Sequence, residues 1–177
     1  MPKTVIHFEE DSFHLSGTSF RSLMNYAFSV CDQFTLTNAR ASRYLYDNPQ
    51  QEKLLRSLDR WHQGTIHSRH WFHLSVPQND FLTINLFTAN KDSLKQLLTC
   101  YNNLFLGYGM PPGQSWMPED LCFFKDGKLW LGTNSHEGIC MVADVTANEL
   151  EQLRSFGITE TCSDAERILL SDHVIIK

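Results

Sequence analysis

The feature that most constrains the fold is the segment Phe123–Trp130, where two apolar runs flank the pair Asp126-Gly127. An Asp-Gly pair supplies the positive backbone torsions of a type I′ turn, which joins two antiparallel strands. A second turn at Asn134–Gly138 returns the chain along Ile139–Val145. The sequence therefore predicts a three-stranded antiparallel meander here.

Apolar residues at a spacing of three and four, together with capping residues, predict helices elsewhere in the chain. Thr146 and Glu149 have the spacing of a capping box, and the pair Asn48-Pro49 is typical of a helix start. The predicted helices cover residues 18–31, the stretch from Asn48 to Gly64, about 91–106, the stretch from Thr146 to Gly157, and a short fifth helix at 163–170.

The remaining apolar segments favour strands, and the clearest are residues 65–76 and 81–88, which a turn at 77–80 joins as a hairpin. Shorter strands are predicted at 3–8, 34–37 and 174–176. Hairpins and helices alternate without a regular strand–helix–strand repeat. The prediction is a single α+β domain over residues 1–177, with a largely antiparallel sheet built from hairpins and packed with about four to five helices.

Charge and motifs exclude several functional classes. The formal net charge of −5 argues against nucleic-acid binding, although the basic residues between Arg40 and Arg69 leave a local basic patch as an alternative. No glycine-rich loop follows a strand, so no nucleotide or other cofactor is predicted. Five cysteines without Cys-x-x-Cys spacing predict reduced, buried thiols. These features and the absence of a signal-peptide pattern or membrane span predict a cytoplasmic protein.

Histidines are concentrated between residues 62 and 73. On a continuous strand over 65–76, His67, Arg69, Trp71 and His73 would share one face of the sheet. His67 and His73 would then lie about 20 Å apart, which is too far for one metal ion. No metal site is predicted, and Trp71 and His73 are candidate binding residues on a face that is solvated or covered by a partner.

The triplet Ser135-His136-Glu137 contains the residue types of a hydrolase triad. Triad residues normally converge from separate elements, whereas consecutive residues on a strand point to opposite faces. The sequence therefore predicts a structural turn here. His136 and Glu137 are the candidate catalytic residues should the protein be an enzyme.

The proline- and glycine-rich segment 107–118 predicts a long loop, and it carries aromatic and methionine residues typical of interfaces. Tyr108, Trp116 and Met117 are therefore candidate binding residues. The carboxylates Glu119 and Asp120, which follow directly, are predicted to begin a strand or cap a turn.

Together these patterns favour a non-enzymatic cytosolic protein-binding module, such as a bacterial immunity or inhibitor protein or a subunit of a complex. A homodimer through an exposed strand at 65–76 is a further expectation. Two alternatives stay open. One is a hydrolase that uses His136 and Glu137 with a histidine of the 67–73 segment, and the other is ligand or nucleic-acid binding through residues 40–69.

Overall fold

The structure of the protein is a computed structural model that describes residues 6–9, 17–40, 49–105, 117–157 and 167–177. Its main sheet has eight strands in the order β1-β9-β8-β7-β2-β6-β3-β10, and every neighbouring pair is antiparallel. The elements in chain order are β1 (Ile6–Glu9), α1 (Gly17–Val30), β2 (Gln33–Arg40), α2 (Pro49–Ser57), β3 (His62–Ser68), β4 (His70–Trp71), β5 (Leu74–Ser75), β6 (Phe81–Thr88), α3 (Lys91–Cys100), β7 (Glu119–Lys125), β8 (Lys128–Asn134), β9 (Ile139–Val142), α4 (Ala147–Ser155) and β10 (Ile175–Ile176). The α+β class with an antiparallel sheet is confirmed.

The predicted meander is present as β7, β8 and β9. Asp126 and Gly127 have φ values of 51° and 72°, as a type I′ turn requires. The third strand ends at Val142, three residues earlier than predicted. The capping box of α4 is also confirmed, because the Thr146 hydroxyl accepts from the Glu149 amide at 3.2 Å and the Glu149 carboxylate accepts from the Thr146 amide at 2.8 Å.

Helix α2 is shorter than predicted. It ends at Ser57 and is followed by a 3-10 turn at Asp59–Trp61. Gly64, the predicted helix stop, instead lies inside β3. A Cβ at this position would overlap with Cγ2 of Ile175 and lie 3.0 Å from the Ile176 carbonyl oxygen. The glycine is therefore required by the close approach of β10, and the prediction of a helix stop was wrong.

Helix α3 likewise ends before the predicted boundary, at Cys100. Tyr101 is the C-cap, and it is buried in extended chain, where its hydroxyl donates a hydrogen bond to the Pro118 carbonyl. This bond connects the end of α3 to the start of β7. Gly107, the predicted C-cap, lies outside the described residues.

The predicted strand at 65–76 is divided in two. β3 ends at Ser68, and the following residues form the two-residue hairpin β4–β5 with Phe72 and His73 at its turn. Both turn residues have positive φ, 22° and 53°. The hairpin folds back over the sheet and buries Trp71 and Phe72. The single shared face for His67, Trp71 and His73 was therefore a wrong prediction.

Two apolar clusters lie on the sheet. The first contains the buried faces of α1, α2 and α3, and α1 contributes Phe20, Leu23, Met24, Ala27 and Phe28. The second includes Leu82, Ile84 and Leu86 of β6 and is covered by the β4–β5 hairpin together with Ile168 and Leu170. The hairpin thus takes the place of a helix on this side of the sheet.

Candidate functional site

Two turns and the start of one strand meet at one end of the sheet. They are the start of β7, the turn between β8 and β9, and the tip of the β4–β5 hairpin. The side-chain amide of Asn134, at the end of β8, donates to the His73 carbonyl of the hairpin at 3.3 Å. We call the residues Phe72, His73, Glu119, Asp120 and Asn134–Gly138 the turn cluster. It contains the predicted catalytic residues and one predicted binding residue, His73.

Asp120 and Ser135 connect the start of β7 to the turn between β8 and β9 through a reciprocal pair of hydrogen bonds. The Ser135 amide donates to Oδ1 of Asp120 at 2.8 Å, and the Asp120 amide donates to Oγ of Ser135 at 3.0 Å. Asp120 has a φ of 52° and lies at a β-bulge in β7, where the register between β2 and β7 shifts. The extra residue of this bulge directs the carboxylate toward the turn.

Asp120 is 1% exposed, and its Oδ2 forms no hydrogen bond within the described part of the chain. Burial raises the pKa of this carboxyl to about 7, although the hydrogen bonds from Ser135 act to lower the pKa. The neighbouring Glu119 is also buried, and its charge raises the pKa of Asp120 further. A carboxyl group that titrates near neutral pH therefore lies inside the protein, where no substrate reaches it in this conformation.

His136 and Glu137, the candidate catalytic residues, contact each other on the same turn. Nε2 of His136 lies 3.4 Å from Oε1 of Glu137, while the imidazole side chain is 9% exposed and Glu137 extends into solvent. Burial lowers the pKa of His136, so the neutral imidazole is favoured. Among the described residues, His136 and Ser135 share no hydrogen bond. Asp120 is instead the hydrogen-bond partner of Ser135, and the sequence did not indicate this contact. Hydrolytic use of His136 and Glu137 stays a prediction.

The candidate binding residues occupy different environments. Trp71 and Met117 are buried, and His73 is exposed at the hairpin turn. A partner would reach Trp71 or Met117 only after the hairpin or the start of β7 moved. Tyr108 and Trp116 lie outside the described residues.

A second surface, which was not predicted from the sequence, lies along β10. We call Phe81, Val174, Ile175 and Ile176 the edge patch. Val174 is 80% exposed, and the other three are between 37% and 52% exposed. They are the large apolar residues that the described part of the chain exposes. The apolar run Val-Ile-Ile at 174–176 is the available signal, and it predicts only a final strand, which the structure confirms at Ile175–Ile176.

The remaining chemical candidates are limited. Burial raises the pKa of the Cys122 thiol to about 12, and Cys31 and Cys140 are buried as well, so these thiols are poor nucleophiles at neutral pH. Cys162 lies outside the described residues. Within the described ranges, no three His, Cys, Asp or Glu side chains converge to hold a metal ion. No described helix has the length and hydrophobicity to cross a bilayer.

No protein-family model, curated protein or solved structure matches this chain. The fold and its two candidate sites define an α+β protein with a buried polar turn cluster and an apolar sheet edge.

Proposed function

We propose that this protein is a protein-binding module that contacts its partner through the edge patch. The observation that carries the proposal is that the large apolar side chains exposed in the described part of the chain all lie on or next to β6 and β10, near one end of the strand order. Ile175 and Ile176 pair with Ile66 and Thr65 of β3, and Val174 directly precedes β10 in the chain. Contiguous apolar surface with a polar rim is typical of protein interfaces, whereas isolated exposed apolar residues need no explanation.

His67, on the strand between β6 and β10, contacts Phe81 of the patch. Its ring lies 5.0 Å from the ring of Phe81, centroid to centroid, in an edge-on arrangement. The patch therefore extends over three neighbouring strands rather than along β10 alone.

The backbone of this edge supports the same proposal. β10 ends the sheet order and pairs only with Thr65 and Ile66 of β3, so within the described part of the chain the rest of the outer edge of β3 has no partner strand. The outer N–H and C=O groups of an edge strand can accept an additional strand from another chain. A partner segment could therefore combine main-chain hydrogen bonds with burial of Val174 and Ile176, each of which would contribute roughly 1–2 kcal/mol.

The charge of the chain favours a protein partner over nucleic acid. The sequence carries a formal net charge of −5, which suits a basic protein partner reached by electrostatic steering. Two arginines of the basic region 40–69 already have partners within the protein. Arg56 is paired with Glu52 at 2.5 Å, and Arg60 lies over the Trp61 ring. An immunity or inhibitor protein, or a subunit of a complex, fits these properties. A second copy of this chain is the other partner that the edge would accept.

Site-specific photo-crosslinking tests the proposal. A photoreactive amino acid replaces Val174 on the edge patch or, as a control, exposed Ala147 at the start of α4, and the cells are irradiated before lysis. We expect one dominant adduct from position 174, either with a distinct protein or with a second copy, and none from position 147. Equal adducts at both positions, or no adduct at position 174, would overturn the proposal.

A further inference from the structure

The β4–β5 hairpin forms a two-stranded sheet of its own, and within the described ranges no strand of the main sheet pairs with it. The amide of Val76 donates to the Arg69 carbonyl at 3.0 Å and closes the base of the hairpin. Movement of the hairpin away from the main sheet would therefore break none of the ladder hydrogen bonds that join the eight main strands.

The turn of the hairpin is occupied by residues that disfavour its backbone conformation. Trp71 pairs with Leu74, so Phe72 and His73 are the two central residues of the turn, with φ values of 22° and 53°. Turns of this kind favour Asn-Gly, because a side chain at positive φ crowds the backbone, and a bulky residue such as phenylalanine is rare there. Such strain persists only where other contacts hold it, and it is typical of ligand clamps and switch regions.

Contacts at the tip hold the hairpin against this strain. The Phe72 ring packs on Gly132 of β8, where a Cβ would lie 2.7 Å from two of the ring carbons. The side-chain amide of Asn134 donates to the His73 carbonyl at 3.3 Å. The tip is thus fixed by one ring and one long hydrogen bond from a side chain.

Trp71 covers the apolar face beneath the hairpin. It is buried, and its ring lies 5.9 Å from the ring of Phe124 and 5.2 Å from that of His173, centroid to centroid. Cys122 belongs to the same apolar cluster and is fully buried. Burial raises the pKa of its thiol to about 12, and the neighbouring Trp71 side chain is among the groups that act to lower it. An outward movement of the hairpin would therefore expose Trp71 and the Cys122 thiol together.

We propose that the β4–β5 hairpin is a lid that opens while the main sheet stays folded. Opening lets the turn at Phe72 and His73 relax, which offsets part of the packing that is lost. Trp71, which is buried in the closed state, then becomes accessible to an apolar ligand or partner surface. The lid opens whether or not a protein docks at the edge patch.

Thiol labelling tests the lid, with Cys140 as the internal control. Cys140 is also fully buried, but it belongs to the first apolar cluster, on the other side of the sheet. Labelling with N-ethylmaleimide is followed by peptide mass spectrometry, and each rate is divided by the rate of the same cysteine in the urea-unfolded chain. We expect Cys122 to react at least about tenfold faster than Cys140 without urea, because a local opening needs less free energy than global unfolding. Low urea concentrations should accelerate Cys140 steeply and Cys122 little, since the urea dependence scales with the surface exposed.

Two substitutions connect the labelling to the hairpin. Asn134→Ala removes the donor to the His73 carbonyl and should accelerate Cys122 labelling about fivefold. His73→Gly suits the positive φ and should slow it by about the same factor. Ser135→Ala is the matched control, because Ser135 lies in the same turn as Asn134 but pairs with Asp120, and it should leave the Cys122 rate unchanged.

A normalised Cys122 rate no higher than that of Cys140, with the same urea dependence, would overturn the proposal, since only global unfolding would then expose the thiol. A Cys122 rate that neither Asn134→Ala nor His73→Gly changes would overturn it as well, because another segment would then uncover Cys122.

Discussion

Asp120 and Ser135 each donate a backbone amide hydrogen to the other's side chain, at 3.0 and 2.8 Å, and so fix the start of β7 to the turn that follows β8. Both residues are buried. Since a buried amide without an acceptor costs more than an average hydrogen bond contributes, this pair should matter for stability.

Ser135→Ala should therefore lower the free energy of unfolding by about 1–3 kcal/mol, because it leaves the buried Asp120 amide without its acceptor. Urea denaturation followed by circular dichroism measures the change. Ser171→Ala, at an exposed position, is the control and should stay within about 0.5 kcal/mol of the wild type. Equal, small effects of the two substitutions would show that the pair contributes little.

The stability of the protein should depend on the ionisation of Asp120. Its pKa is raised from 3.8 to about 7 by folding, so the folded state holds the proton more tightly than the unfolded state. This contribution is fully present below pH 3.8 and is lost as the pH rises toward 7, with a slope of at most about 1.4 kcal/mol per pH unit.

Asp120→Asn isolates this effect, because the amide oxygen can still accept from Ser135 and Asn tolerates a positive φ. The low pKa of His136 destabilises the fold as the pH falls below 6.5, but it does so in both proteins. The difference in unfolding free energy, wild type minus variant, should fall between pH 4 and pH 7. A flat difference would contradict the proposed titration.

The Phe72 ring packs directly on the backbone of Gly132, which leaves no space for a side chain at that position. A Cβ there would lie 2.7 Å from two ring carbons of Phe72. Gly132→Ala should cost about 1–3 kcal/mol of unfolding free energy through overpacking. In a Phe72→Ala background the same substitution should cost much less, and the double-mutant cycle measures this coupling. Additive effects would mean that the ring does not lie on Gly132.

Gly64→Ala should release β10 from β3, because the new Cβ would overlap with Ile175. Hydrogen–deuterium exchange should then accelerate at Thr65, Ile66 and residues 174–177, while the β7–β8 hairpin keeps its protection. Unchanged exchange at β10 would show that this strand does not approach β3 so closely.

The sequence predicted those parts of the fold whose signals are local. The Asp126-Gly127 turn and the capping box of Thr146 and Glu149 were found because a few neighbouring residues determine each of them. Gly64 was misread because its reason is a contact with β10, which comes from the far end of the chain.

The other misses have the same origin. The turn at Phe72 and His73 lacks the glycine or asparagine that favours positive φ, and it is supported by packing on Gly132 and by Asn134. The partnership of Asp120 with Ser135 spans fifteen residues and depends on the bulge in β7. The exposure of the edge patch depends on which strand ends the sheet, and no local pattern determines this.

Native mass spectrometry of the protein purified from its own cells tests the central claim, that the edge patch is a docking surface, most directly. The wild type is compared with Val174→Asp/Ile176→Asp and with the control Ala147→Asp. Both patch residues are exposed, so the double variant should fold. We expect the wild type and the control to carry a stoichiometric protein partner or a second copy, and the double variant to be a bare monomer. A double variant that keeps the partner, or a wild type that is itself a bare monomer, would contradict the proposed function.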